Sequence, residues 1–140
     1  GRLRPPVTLA ALAGLRVVGF QNASRYLGPA FAAFARDNPR YVEQANQLTQ
    51  VRMLFGGQAD ALVMEARIYA WQIRQLQRSQ FTEKPVPVDS IALFERIAYR
   101  VAFRDPVLRD AFNAGLAKAR ALGHLARIEA AYPLPALSAH

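Results

Sequence analysis

The residues with the clearest chemical capacity stand at two places, each just after a run that reads as a buried strand. The first is "QNASR", Gln21 to Arg25, which follows "LRVVGF" and leads into a helical stretch. The second is "EAR", Glu65 to Arg67, which follows "ADALVM" and leads into another. A helix N-terminus carries about half a positive charge and unpaired N–H donors, so it suits a carboxylate. Ser24 can offer its hydroxyl and backbone N–H there, with Asn22 and Ala23 beside it and Arg25 as an added cation. Glu65 suits an ammonium group, with Arg67 close by in sequence. If the two strands are neighbours in a parallel sheet, both places face one crevice at the strands' carboxyl ends, where open α/β sheets hold ligands. An anion receptor and a cation partner across one cleft describe an amino-acid-like ligand. A plainer account fits the same residues: Ser24 as a helix cap, Glu65 in solvent or paired with Arg67, Arg25 as a solvated charge. Spacing alone leaves both accounts open.

Other chemistries lack their residues. There is no cysteine, hence no disulfide framework and no thiolate metal site. Of the two histidines, His124 stands at the start of a short helical stretch and His140 is terminal; neither has a partner at metal-ligand spacing or a paired nucleophile. No glycine-rich phosphate loop is present, and the ten Asp and Glu residues are scattered, with no pair marked for acid–base work. The expectation is a non-enzymatic protein without metal or cofactor. The formal net charge is +8, from sixteen Arg and two Lys against those ten carboxylates. Such a balance suits nucleic acid or another anionic partner. Here, however, the basic residues are spread along the chain with no adjacent run and no nucleic-acid motif. A dispersed basic surface is the favoured reading, and a basic module for nucleic acid or another anionic partner is the alternative.

The elements that would position these residues follow from periodicity. A chain of 140 residues fits one domain with a real core, and no apolar stretch approaches the ~20 residues needed to cross a bilayer. "PPVTLAALAG" predicts a short helical turn capped by Thr8 and stopped by Gly14. "LRVVGF" is β-branched and apolar, as a buried parallel strand should be. "SRYLGPAFAAFARDN" predicts one helix, with Tyr26, Leu27, Ala30, Phe31 and Phe34 on its apolar face and Pro29 in its first turns. "RYVEQA" is a weak strand candidate. "LTQVRMLFGGQ" predicts a helix stopped at Gly56–Gly57, "ADALVMEA" a second buried strand, and "RIYAWQIRQLQRSQ" a helix with Ile68, Trp71, Ile73 and Leu76 apolar. "TEKPVPVDS" is a loop, and "AYRVAF" alternates as a strand does. In "DPVLRDAFNAGLAKARALG" Asp105 caps a helix with Pro106 at its first position. "HLARIEAAY" is a last short helix, and "PLPALSAH" a tail. Strand alternating with helix implies an α/β layer with a mostly parallel sheet.

Four stretches in register resemble one family. "TLAALAGLRVVGFQNASRYLG", "LFGGQADALVMEARI", "YRVAFR" and "DPVLRDAFNAGLAKARALGHLARIEAAY" are similar to the second lobe and closing helices of type II periplasmic solute-binding proteins of the amino-acid kind, the bacterial extracellular solute-binding family 3. The resemblance implies a three-layer lobe over residues 1–104 and C-terminal helices over 105–140 that would pack on a first lobe whose sequence is not in the chain. It places the family's carboxylate-receiving hydroxyl on Ser24, with Ala23 where glycine is common. It places the acid that holds the ligand's amino group on Glu65, where aspartate is usual. Asn22, Arg25 and Arg67 are near by position. It further implies a small polar, amino-acid-like solute bound by hinged closure, a periplasmic location, and a membrane permease or receptor as partner rather than nucleic acid. Without a first lobe, the apolar face of Leu108, Phe112, Leu116, Leu122, Leu125 and Ile128 is expected to be an exposed patch or to be covered in a dimer, with or without exchanged helices.

Overall fold

The computed structural model describes residues 7–78, 87–95 and 100–132. They fall into two compact units that divide between Phe94 and Glu95, earlier than the boundary at 104/105 expected from sequence.

In the first unit three short strands make a wholly parallel sheet in the order β2-β1-β3: β1 is Val17–Phe20, β2 Tyr41–Gln44 and β3 Ala61–Val63. Val17 and Val18 are buried in the central strand, where β-branched side chains pack well between neighbours. Gly19 of β1 stands level with Glu43 on one side and Val63 on the other. β1 and β3 are therefore neighbours, and all three strands end at the same edge.

The expected single helix after β1 is two: α1, Ala23–Tyr26, and α2, Pro29–Asp37. Gly28 separates them at φ +88, a backbone conformation that costs glycine little and other residues much. Pro29 has no N–H to continue α1, so it opens α2 instead. The break shifts the helical phase. Phe31 becomes fully buried while Tyr26, expected on the same face, is 68% exposed. Phe31 meets the rings of Phe34, Tyr41 and Phe94 at centroid distances of 5.5, 5.5 and 5.4 Å. Its cluster takes in Leu12, Val17, Ala23 and Val63 on one face of the sheet. Burying a side chain of this size contributes roughly 2–3 kcal/mol.

On the other face, α3 (Gln47–Phe55) and α4 (Ala66–Arg78) bring Val51, Phe55 and Leu76 together with Leu62 of β3. The Asn46 side chain caps α3 by accepting the Thr49 N–H at 3.1 Å. Trp71, expected on the apolar side of α4, points away from it and is 45% exposed; Tyr69 and Ile73 take the inward positions. Before β1, Leu9–Leu12 form one 3-10 turn. Thr8 occupies its cap position but makes no side-chain capping bond.

At the sheet's amino edge, Arg16 and Asp60 form a two-pronged ion pair. Arg16 Nε donates to Asp60 Oδ2 at 3.0 Å and Nη2 to Oδ1 at 2.6 Å, while Nη1 donates to the Gly57 carbonyl. The hydrogen bonds from Arg16 hold the Asp60 carboxyl at about 2.

In the second unit α5 is Pro106–Ala121 and α6 His124–Ala131. Asp105 caps α5 by accepting the Val107 N–H at 2.8 Å, with Pro106 at the first helical position. No side chain of α5 or α6 is buried. Leu108, Phe112, Leu122 and Ile128 are 41–58% exposed, and Leu116 and Leu125 half-buried. The strand expected over "AYRVAF" does not form at Arg100–Phe103, and Ala98 and Tyr99 lie outside the described residues. Phe103 instead packs its ring on Phe112, 5.1 Å away. Part of the "TEKPVPVDS" loop and the "PLPALSAH" tail also lie outside them.

Candidate functional site at the carboxyl edge of the sheet

Both sequence-identified clusters lie at the carboxyl edge, because β1 and β3 are adjacent and parallel. Asn22 to Arg25 follow β1, and Glu65 to Arg67 follow β3. The structure shows what each cluster already holds.

The turn from β1 into α1 binds a carboxylate that belongs to the chain. Glu43 of β2 accepts the Asn22 N–H at 2.6 Å through Oε2 and the Ser24 N–H at 2.9 Å through Oε1. The Tyr41 hydroxyl donates to the same Oε1 at 3.1 Å. Asn22 is the one non-glycine residue at positive φ (63) among the described residues. Asparagine tolerates this left-handed conformation better than most residues, and it turns successive N–H groups toward one anion. Burial pushes the Glu43 carboxyl up. The Ser24 N–H and side chain, the Asn22 N–H and the Tyr41 hydroxyl outweigh it together and leave the group below the usual glutamate range. Burial first, and then the bond to Glu43, raise the Tyr41 hydroxyl well above the usual tyrosine range.

Residues far apart in sequence make this arrangement possible. Tyr41 and Glu43 alternate onto the same face of β2, and the Tyr41 ring lies across β1 at Gly19. A Cβ at Gly19 would run into Tyr41 Oη and stand 3.0 Å from Cζ. Gly19 is thus required by the close approach of the ring that orients Glu43. Behind the strands, the fully buried Gln50 of α3 ties the two ends together: its Nε2 donates to the Gly19 carbonyl at 2.6 Å and the Gln44 carbonyl at 3.2 Å.

The second cluster is simpler. Glu65 is exposed, and its Oε2 accepts the Ile68 N–H at 2.8 Å, so it caps α4. Of the remaining sequence candidates, Ala23 is wholly buried in the aromatic cluster. Arg25 and Arg67 are exposed, while Asn22 and Ser24 are half-buried.

The sequence reading missed Glu43, the residue that organises the edge. The available signal was small: a glutamate two positions after a tyrosine in a weak strand, hence on the same face as an aromatic ring. Elsewhere, His124 Nδ1 accepts from Arg127 Nη2 at 2.5 Å, a contact between neighbouring turns of α6. An open apolar recess lined by Leu9, Ala13, Phe34 and Asn38 lies at the opposite edge of the sheet. Among the described residues no three of His, Asp and Glu stand together as a metal site, and no helix is long and apolar enough to cross a membrane. Compared with protein-family models, curated proteins and solved structures, the chain matches none.

Proposed function

We propose that the first unit is the ligand-binding lobe of a non-enzymatic solute-binding protein, of the periplasmic two-lobed kind that its sequence resembles. In this reading it serves uptake or sensing of a small polar, amino-acid-like molecule. The observation that carries this is the carboxyl edge itself. A parallel β2-β1-β3 sheet sends its chain to opposite sides of the central strand, the topology that opens a ligand crevice at strand ends. At that edge the β1–α1 turn is built to hold a carboxylate, and Glu43 occupies it. Glu65 stands at the end of the adjacent strand. A solute carboxylate that reaches the Ser24 hydroxyl and N–H exchanges with Glu43, and its ammonium group meets Glu65. Closure against a second lobe would bury the rest of the ligand and select the closed state. A membrane permease or receptor would then read that state.

The test is an amino-acid panel followed by amide NMR on the full chain. A cognate solute shifts the Asn22 and Ser24 amides, and Ser24→Ala and Glu65→Gln each weaken it by about tenfold. A panel that leaves both amides in place, or variants that bind as well as the parent, would overturn the reading.

A further inference from the structure

One polar atom at the carboxyl edge has no use within the chain. Gln50, in the first turn of α3, is fully buried. Its Nε2 donates to the Gly19 carbonyl at 2.6 Å and to the Gln44 carbonyl at 3.2 Å. Gly19 is next to last in β1 and Gln44 is last in β2, so the amide sits where both strands end. Its orientation is forced, because the reverse would set Oε1 against two carbonyl oxygens, acceptor facing acceptor. Oε1 is thereby left over. Among the described residues it is the one buried side-chain polar atom without a hydrogen-bond partner. Native folds leave few such atoms, because an unpaired buried acceptor has lost its water and gained nothing in return.

We propose, resting on the solute-binding reading above, that Gln50 Oε1 is a specificity-determining acceptor for an uncharged hydrogen-bond donor on the solute's side chain, a carboxamide N–H or a hydroxyl. Tyr41 and Glu43 share one face of the sheet, and α3 brings Gln50 to the same edge from the other. A solute seated by its carboxylate at the Asn22–Ser24 turn spans the end of β1 when its side chain reaches toward α3. Oε1 is closed to solvent while Glu43 holds that turn. The longer of the two bonds that fix the amide runs to Gln44, the residue after Glu43. Displacement of Glu43 by the solute carboxylate therefore loosens the strand end to which the amide is tied. A cationic donor fits less well: the partners of the Gln50 amide are neutral carbonyls, and a buried cation needs a carboxylate beside it. The solute class is thus an amino acid with a neutral polar side chain.

The test compares isosteric pairs on the full chain by calorimetry: glutamine against methionine, and threonine against valine. In at least one pair the donor should bind about tenfold more tightly or better, because a site with a buried acceptor rejects the analogue that lacks the donor. Gln50→Met should bring that pair to within about twofold. It also removes the donor to Gly19 and Gln44, so the ratio within a pair is read rather than either affinity alone, and circular dichroism checks that the variant is folded. A second readout needs no variant. In the isotope-labelled parent chain, the Gln50 Cδ resonance should move with the donor solute and stay in place with its isostere. Isosteres that bind as tightly as the donors, while shifting the Asn22 and Ser24 amides, overturn this inference and leave the solute reading standing. A Gln50 Cδ resonance that no bound solute moves overturns it as well, with a buried water as the partner of Oε1. Binding of none of the four amino acids, with both amides unmoved, counts against the solute reading and removes this inference with it.

Discussion

Two carboxylates close two helix starts at the same edge of the sheet, and they reach them from different distances. Glu65 caps α4 from within its own turn, three residues from the N–H it accepts. Glu43 reaches the β1–α1 turn from another strand, 21 residues from Asn22 and 19 from Ser24. The first is exposed and makes one such bond. The second is half-buried, takes two backbone N–H groups and a tyrosine hydroxyl, and depends on a glycine that lets that tyrosine cross the central strand. A local cap is a property of a short stretch of chain and is worth little when solvent can replace it. A cap brought from a neighbouring strand couples the helix start to the sheet, so disturbing it disturbs both.

That contrast can be broken at its weakest geometric point first. Gly19→Ala forces the Tyr41 ring away from β1 and should cost about 3 kcal/mol by chemical denaturation, the largest effect of the set. A variant as stable as the parent would show that the ring has room to move and that the Glu43 arrangement does not depend on Gly19. Glu43→Ala leaves the N–H groups of Asn22 and Ser24 without their acceptor and should cost about 2 kcal/mol, with faster amide exchange at those two residues. Unchanged exchange there would mean that water replaces the carboxylate without loss.

The same contact has a pH signature. Glu43 titrates lower in the folded chain than its ordinary value of 4.5, so its contribution is fully present above that value and is lost as pH falls through the folded value. The stability gap between the parent and Glu43→Gln should therefore narrow below about pH 4.5. A gap that stays constant down to pH 3 would show that Glu43 does not act as a charged acceptor. Glu65→Ala should have the smallest effect, about 0.5–1 kcal/mol, confined to faster exchange in the first turn of α4. A loss there as large as that of Glu43→Ala would erase the distinction between a local and a long-range cap.

The second unit shows the limit of local signals from another side. Asp105 and Pro106 start α5 as their order in the sequence predicts. Correct local signals nonetheless give helices in which no side chain is buried, because a cap sets where a helix begins and not what covers it.

What was legible in the sequence was whatever a few consecutive residues decide. Within "LRVVGF" and "ADALVM", Val17–Phe20 and Ala61–Val63 are strands because apolar, β-branched runs suit a buried pleat. Asp105–Pro106 begins a helix because the acid accepts an early N–H and the proline lacks one. Glu65 was correctly placed at the mouth of a helix. Even the split of the first long helix was encoded locally, in Leu27–Gly28–Pro29, although periodicity across it read as continuous and put Tyr26 and Phe31 on one face.

Only the tertiary structure decided which strand lies beside which. That adjacency set Tyr41 across Gly19 and put Glu43 under the Asn22–Ser24 turn. The physical reason is range. Helix caps and strand preferences depend on bonds closed within a turn. The acceptor for a particular N–H at a sheet edge depends instead on register between strands that are distant in the chain, and no short window of sequence contains it.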